Sequence, residues 1–512
     1  MIPSLGIETA LAVAVFVILT CFGLLRGQLS RWRDLPPGPP PFPILGDIPQ
    51  ITLEFPEKCF AQWRKKYGDV IFLKMFNTPV LVINSITAAR ELLDKRSAIY
   101  SDRPYSVLNL ELLGWEHDFG IIPYNEELCR HRRWMYQPFF SKTSLAAIAD
   151  VQRNEAMTLL MALLREPIKF ESHIHRYAAS SLLQYVYGHR VESDDDEYLH
   201  IIETALDETM SSAAPGAALV DFLPFLKHIP AWLPGAGFKR RALKAKKTVR
   251  EAARRTYALA MNKIKEDCMN EAVLPSLIKK ASANGTLEAE QPEIMMFGLT
   301  LYGAATDTTQ TVIRVFVLAM VLYPDAFTKA QEELDRVIGC DRLPTVEDRH
   351  ALPYLECVLK ETFRFSCPGP LGVPHATSEN DEYRGYCIPK GTTILPNLWL
   401  MSHDAEVYPD PETFRPERFD GVHANQEDPR NIVFGFGRRI CPGRRFADSS
   451  VWQAMANITA TFDIRKARDV RGDEITPAGT FASGLINHPH KFQCSITHRS
   501  GQAAALILGD RR

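Results

Sequence analysis

Three side chains in this sequence stand where their neighbours give them chemical leverage. Cys441 lies in Phe434-Gly-Phe-Gly437-Arg-Arg439-Ile-Cys441-Pro-Gly443, with glycines at 435, 437 and 443. Glycine lets a backbone turn tightly around one side chain. A helical pattern begins just after it, from Arg444 to Thr461. A thiolate there faces the positive helix end and nearby backbone N–H groups, which lower its pKa and limit its charge, as a metal ligand requires. The plainer alternative is a buried cysteine in a glycine-rich turn. A dinucleotide fingerprint is excluded, because no strand leads into the run with the G-x-G-x-x-G order. The second and third residues are Asp307 and Thr308, an acid beside a hydroxyl inside an apolar helical run. Burying an acid is costly unless it is used, so the pair reads as a proton relay. The competing reading has the threonine bonded back to a helix carbonyl and the aspartate capped locally.

The elements that must position these residues are mostly helical. Pro292 to Tyr323 is long and apolar, with little charge beyond Asp307 and Arg314, which marks a helix buried on most sides. Asp325–Ile338 and Leu352–Phe365 are amphipathic helices. On the second, Glu361 and Arg364 share a face at i, i+3 and can pair. Strand-like runs are short: Val70–Met75, Val80–Ile83, Tyr383–Ile388 and Thr392–Pro396. The class is mainly α with a small β part. Hydrophobic residues at 46% and charged ones at 23% exclude a disordered chain. A net charge of −2 gives no reason to expect nucleic acid. None of the ten cysteines shows C-x-x-C spacing, which argues against zinc or a dithiol centre and leaves most as small buried hydrophobes in a reducing compartment.

The N-terminal region has its own logic. Thr9 to Leu25 carries no charge, and as a helix it is about 25 Å long, near the thickness of a bilayer core. Glu8 precedes it, and Arg26, Arg31 and Arg33 follow, which places the body in the cytosol by the positive-inside rule. A cleaved signal peptide and a buried core helix are the rivals to an uncleaved anchor. Leu35-Pro-Pro-Gly-Pro-Pro-Pro-Phe-Pro then forms a stiff, extended hinge that ends near Gly46. The expected layout is an anchor and basic flank over 1–34, the hinge over 35–46, and one large domain over 47–512. Phe222 to Pro234 is apolar, with one Trp, and suits either a loop dipping into the membrane interface or a packed lid.

The run F-x-x-G-x-R-x-C-x-G resembles the haem-binding loop of the cytochrome P-450 family. Further motifs follow the family's order. Glu361-Thr-Phe-Arg364 is similar to E-x-x-R. Phe414-Arg-Pro-Glu-Arg418-Phe419 resembles the segment whose arginine joins that pair, so the resemblance places Glu361, Arg364 and Arg418 in one buried charge network. Ala304-Ala-Thr-Asp307-Thr308-Thr309 resembles A-G-x-D-T-T, with Ala305 where the family often has glycine. The resemblance makes Cys441 the axial haem-iron ligand and Phe434 and Gly443 haem contacts. Arg439, His375, Arg132 and Arg103 become propionate partners. Arg132 matches the arginine of W-x-x-x-R, although Leu128 stands at the tryptophan position. The likeness covers essentially the whole chain, and its wording is most similar to fungal members of secondary metabolism.

What the resemblance implies is a haem-thiolate monooxygenase with haem between the long central helix and the Cys-ligand loop. The cofactor is haem b (iron protoporphyrin IX). NADPH and flavins act through a partner NADPH-cytochrome P-450 reductase, and cytochrome b5 is a second candidate partner. Arg130, Arg133, Arg444 and Arg445 are candidates for the reductase-docking face. Asp307 and Thr308 deliver protons for oxygen activation. The expected location is the endoplasmic reticulum membrane, single-pass, with a cytosolic catalytic domain. The substrate is a lipophilic small molecule, with a terpenoid favoured and a polyketide or an indole amine open. A haem-thiolate isomerase or dehydratase, and a haem sensor, are the other classes considered. Expected pocket segments are 106–120, 222–234, 299–308, 370–374 and 480–485, with Glu111, Glu116 and Asp118 as the acids near them.

Overall fold

A computed structural model describes residues 34–212, 218–266, 272–421 and 426–509. The expected anchor, Thr9 to Leu25, lies outside them. The fold is built around one helix, Leu287–Leu322, of 36 residues and so about 54 Å long. It starts five residues before the expected Pro292, because Glu288 and Glu290 supply the acids that favour a first turn. This is the one helix among the described residues long and apolar enough to cross a membrane, and most of it is buried in the fold. Its second half, Thr309 to Val321, packs among the helices Lys142–Arg165, Phe170–Leu182, Pro324–Val337, Pro353–Ser366 and Arg444–Thr461. Near its middle the packing breaks: Ala304 is exposed although the turns on either side are buried. That gap is where the site lies.

The β part is small, as expected. The strands β1 (Val70–Met75) and β2 (Thr78–Ile83) form an antiparallel hairpin, and β3 (His375–Ala376) pairs with a later strand of the same sheet. The run Tyr383–Ile388 is not the single strand its residue types suggest. It folds into a hairpin of β4 (Asp381–Tyr383) and β5 (Tyr386–Ile388). Arg384 and Gly385 turn the chain at φ 53° and 82°, the two-residue left-handed turn that suits strand twist. β6 (Thr393–Pro396) then runs parallel to β2 and completes the order β1-β2-β6-β3. A second sheet joins β7 (Phe462–Arg468) to β8 (Glu474–Ile475) and β9 (Cys494–His498). The proline segment lies along the open edge of β1, where Pro37 O accepts from Phe72 N–H at 3.0 Å. Residues 219–234 form short helical turns. Phe222 stacks near Phe76, and Phe225 and Trp232 are exposed.

Candidate functional site

Cys441 sits at the end of a loop whose shape comes from its glycines. Gly435 and Gly437 have φ of 74° and 61°, values an L side chain adopts only with strain. A Cβ on Gly437 would collide with the Leu93 carbonyl oxygen. The Gly437 N–H donates to Asp94 Oδ1 (2.6 Å), and the Cys441 N–H donates to Phe434 O (2.8 Å). Gly443 caps the helix Arg444–Thr461, which has the bounds its pattern predicts. The expected lowering of the thiol pKa does not hold for the protein alone. Burial pushes the Cys441 thiol up and outweighs the Gly443 N–H, Arg444 and Arg132, which pull it down.

Behind the loop, Glu361, Arg364 and Arg418 meet as the resemblance implied. Arg364 makes a two-point pair to Glu361 at 2.8 and 2.9 Å. Arg418 Nε lies 3.1 and 3.0 Å from the two Glu361 oxygens. All three side chains are essentially without exposed surface. The remaining donors are used on carbonyls, among them Ser402 O from Arg364 and Pro409 O from Arg418.

In front of the loop is a cavity of about 310 Å³. Cys441, Phe434 and Gly443 form one wall, and Ala304, Ala305, Thr308 and Thr309 of the central helix form another. Arg103, Arg132, Arg439 and His375 also line it, and no carboxylate does among the described residues. These four come from distant segments, and backbone carbonyls hold them. Arg103 donates from Nε to Gly120 O (2.9 Å) and from Nη1 to Val373 O and Pro374 O (2.7 and 2.6 Å). Arg439 donates to Ser101 O (2.8 Å), Phe119 O (3.3 Å) and Ile122 O (2.8 Å). Arg132 reaches Ile440 O at 3.1 and 3.2 Å. A guanidinium has five N–H donors, so Arg103 and Arg439 keep donors free of these carbonyls. His375 Nδ1 is 2.8 Å from Tyr100 O, so Nδ1 is the donor and Nε2 is left for the cavity.

The electrostatics of this group are uniform. Burial lowers the Arg439 guanidinium to about 10, with Arg132 adding to the effect. Burial and then Arg439 push Arg103 well down. His375 is lowered to about 3, by burial and then by Arg103. Asp102 and Asp118 oppose these shifts in part, but neither lines the cavity, so three crowded arginines beside a neutral His375 form a receptor for a ligand carrying negative charge.

On the helix wall, the structure separates the residues expected to act as a relay. Thr308 Oγ1 donates to Ala304 O at 2.9 Å, the back-bond of the competing reading. Asp307 is capped locally at one oxygen only, Oδ1, by Gln310 Nε2 at i+3 (2.7 Å). It turns out of the cavity toward Gln310 and toward His488, from a segment 181 residues away. Burial raises its carboxyl, but His488, Gln310 and His175 outweigh that and leave it lowered. Gln310 sits at i+3 from Asp307, a spacing that could have found it, whereas nothing local ties His175 and His488 to Asp307. Thr309 Oγ1, on the cavity wall, has no hydrogen-bond partner among the described residues.

Other expected positions divide. Phe119, Gly120, Leu301, Gly372 and Val373 line the cavity, but no residue of 222–234 or of 480–485 does. Glu111 is paired with Lys227 (2.9 Å) and Glu116 with Arg250 (3.1 Å). Asp118 accepts from Gly120 N–H (2.7 Å), and burial raises its carboxyl to about 6. Arg130 is half-buried in a two-point pair to Glu293 at 2.6 and 3.0 Å, whereas Arg133 and Arg445 are exposed.

The family model for cytochrome P-450 matches residues 36–496. Cytochrome P-450 monooxygenase 176 of Postia placenta is 43% identical to this chain over 97% of it and 96% of the relative. Monooxygenase 136 of the same fungus is 40% identical over 98% of this chain and 96% of its own length. Cytochrome P-450 monooxygenase claR of Ampulloclitocybe clavipes is 36% identical over 99% and 94%.

Proposed function

Because the chain belongs to the cytochrome P-450 family of monooxygenases, we propose that it hydroxylates a lipophilic small molecule of fungal secondary metabolism, a terpenoid in first place. The family implies haem, and the cavity fits haem b. The observation that carries the reading is the set of Arg103, Arg132, Arg439 and His375 lining the cavity beside Cys441 with no carboxylate among the described lining residues. Two propionates supply the negative charge this cavity wall lacks, and the donors left on Arg103 and Arg439 suit them; His375 would donate to them from Nε2 only on taking up a second proton, which their charge favours. Phe434 and Gly443 complete the pocket around the Cys441 sulfur. Bound there, haem b supplies oxygen activation with electrons from NADPH, delivered through the flavins of a partner reductase, with cytochrome b5 as a further donor.

The chain's own residues do the rest. Cys441 would supply the thiolate that holds the haem iron, and its loop fixes the position of the sulfur through the bond to the Phe434 carbonyl and the Gly437 turn. Glu361, Arg364 and Arg418 keep that loop's support rigid. Ala304 and Ala305 keep the helix wall thin, so a substrate can approach closely. Thr308 presents a hydroxyl to the cavity, and Asp307 behind it moves protons between the solvent side and that wall. One oxygen atom ends in the substrate C–H bond, and the other leaves as water, which takes two protons. The exposed Arg133 and Arg445 offer an acidic reductase a docking face.

We assign 1–34 as anchor and basic flank, 35–46 as hinge and 47–512 as catalytic domain, on the endoplasmic reticulum membrane with the body cytosolic. The charge-free run Thr9–Leu25 supports this, and so do the exposed Phe225 and Trp232, which suit contact with the membrane interface.

The test is the carbon-monoxide difference spectrum of the reduced protein. A long-wavelength band marking thiolate ligation is expected in the wild type and lost in Cys441→Ala. A variant that keeps the band ends the assignment of Cys441. One observation favours a second substrate reading. Of the three acids near the pocket, Asp118 alone has no cation within ion-pair distance among the described residues, which suits an indole amine. Spectral binding shifts with terpenoids, polyketides and indole amines separate the readings. Asp118→Asn weakens only amines if the second is right.

A further inference from the structure

The two oxygens of Asp307 have different partners. Oδ1 accepts from Gln310 Nε2 at 2.7 Å. Oδ2 lies 3.4 Å from Nε2 of His488. The other ring nitrogen of His488, Nδ1, is 2.7 Å from Thr311 Oγ1. Thr311 has one hydroxyl proton and donates it to the Asp307 carbonyl oxygen at 2.8 Å. Nδ1 must therefore be the donor to Thr311. One proton thus stays on the nitrogen turned away from Asp307 and anchors the ring. A second proton, when the ring takes one up, has only Nε2 to occupy, the nitrogen that faces Oδ2.

His175, from the helix Phe170–Leu182, braces the acid from its other side. Its Nδ1 is 3.1 Å from Gln310 Oε1, and its Nε2 meets Glu203. The amide orientation is set by the Gln310 Nε2 donation to Asp307, so both His175 partners are acceptors and both ring nitrogens must donate. His175 is then a cation. In agreement, burial pulls its imidazole down, but Glu203, Gln310 and Asp307 outweigh burial and leave it raised. The charged groups around the cluster are Glu203, Arg314 and Glu171. Arg314 pairs with Glu171 (2.8 Å) and donates to Pro489 O (3.3 Å), beside His488.

We propose that His488 returns a proton to Asp307 during turnover, while His175 acts through Gln310 to hold the carboxylate in place. The Nε2 proton passes to Oδ2. His488 is left as a neutral ring still anchored by Nδ1–H, and it regains its Nε2 proton from water at its exposed face. Gln310 conducts nothing, since an amide gives up its protons poorly; its role is geometric. Both histidines are positioning residues, because they act through Asp307. The inference rests on Asp307 serving proton delivery in the proposed oxygenation.

The test uses full-length enzyme with its reductase. In His488→Gln, the carbon-monoxide spectrum and the substrate binding shift stay as in the wild type. Product formed per NADPH falls at least about ten-fold, hydrogen peroxide rises to match, and the solvent isotope effect grows. Full coupling in this variant overturns the proposal. A second measurement needs no turnover: 15N-histidine NMR of the wild-type carbon-monoxide complex. Neutral His488 must carry its proton on Nδ1, and His175 must be doubly protonated near neutral pH. An Nε2–H tautomer of His488 overturns the proposal, and it decides the matter even if His488→Gln fails to fold. A wild type without the thiolate band would overturn the proposed function instead.

Discussion

The two sides of the cavity are built on opposite terms. On the Cys441 side, Glu361, Arg364 and Arg418 are buried, and the two arginines spend donors on carbonyls besides Glu361. The loop bends through glycines that exclude any other residue without strain. On the central-helix side, Asp307 and its histidines are only part-buried, and Thr309 Oγ1 lacks a partner among the described residues. A buried charge network loses heavily when one member goes, so it holds a geometry and tolerates no exchange. Proton traffic needs groups that titrate, reach water and have alternative partners. Rigidity and traffic cannot share one set of side chains, and this fold places them on opposite walls.

Four substitutions test that division. The largest effect is expected from Glu361→Ala, which strands two buried guanidiniums and costs about 3–5 kcal/mol in denaturant unfolding. An unchanged midpoint would mean the network is not what stiffens the Cys441 side. Next comes Gly437→Ala, where φ of 61° and the Leu93 carbonyl leave no room for a Cβ. About 3 kcal/mol of stability should be lost, together with the intensity of the thiolate band. Thr308→Ala should change stability by no more than about 1 kcal/mol, since its one hydrogen bond is a helix back-bond. Its effect should appear as product lost per NADPH consumed, and a variant that stays fully coupled removes Thr308 from the traffic.

The smallest effect is a pH dependence. The His175 pKa is raised in the folded protein, so its contribution to stability is full below the unfolded value of about 6.5 and is lost as pH rises through the folded value. The stability gap between wild type and His175→Gln should therefore be widest in mild acid and close toward alkaline pH. A gap that widened with pH would show that His175 is not the cation bracing Asp307.

How much of this was legible in the sequence differs between the walls. The helix Arg444–Thr461 has its predicted bounds, and Glu361 and Arg364 pair as i, i+3 spacing allows. The hairpin at Arg384-Gly385 was missed, because Tyr383–Ile388 has strand residue types and the turn depends on two left-handed residues within it. Leu128 at the tryptophan position did not displace Arg132, which still reaches the Cys441 loop through Ile440 O. Asp307 and its i+3 partner Gln310 are local features, but the tie to His488 spans 181 residues and the pairing of Arg130 with Glu293 spans 163, and neither has a local signal.

By itself, the sequence determined the family, the mainly helical class, the glycine-shaped loop around Cys441 and the acid–hydroxyl pair on the long apolar helix. Each of these is written in neighbours a few residues apart, where spacing alone sets which side chains share a turn or a face. Only the tertiary structure decided that three arginines and a histidine from distant segments line one cavity with no carboxylate among the described lining residues. Only it turned Asp307 away from Thr308 and toward two histidines. Those outcomes depend on contacts between residues more than a hundred positions apart, and packing of whole helices, rather than local periodicity, brings such residues together.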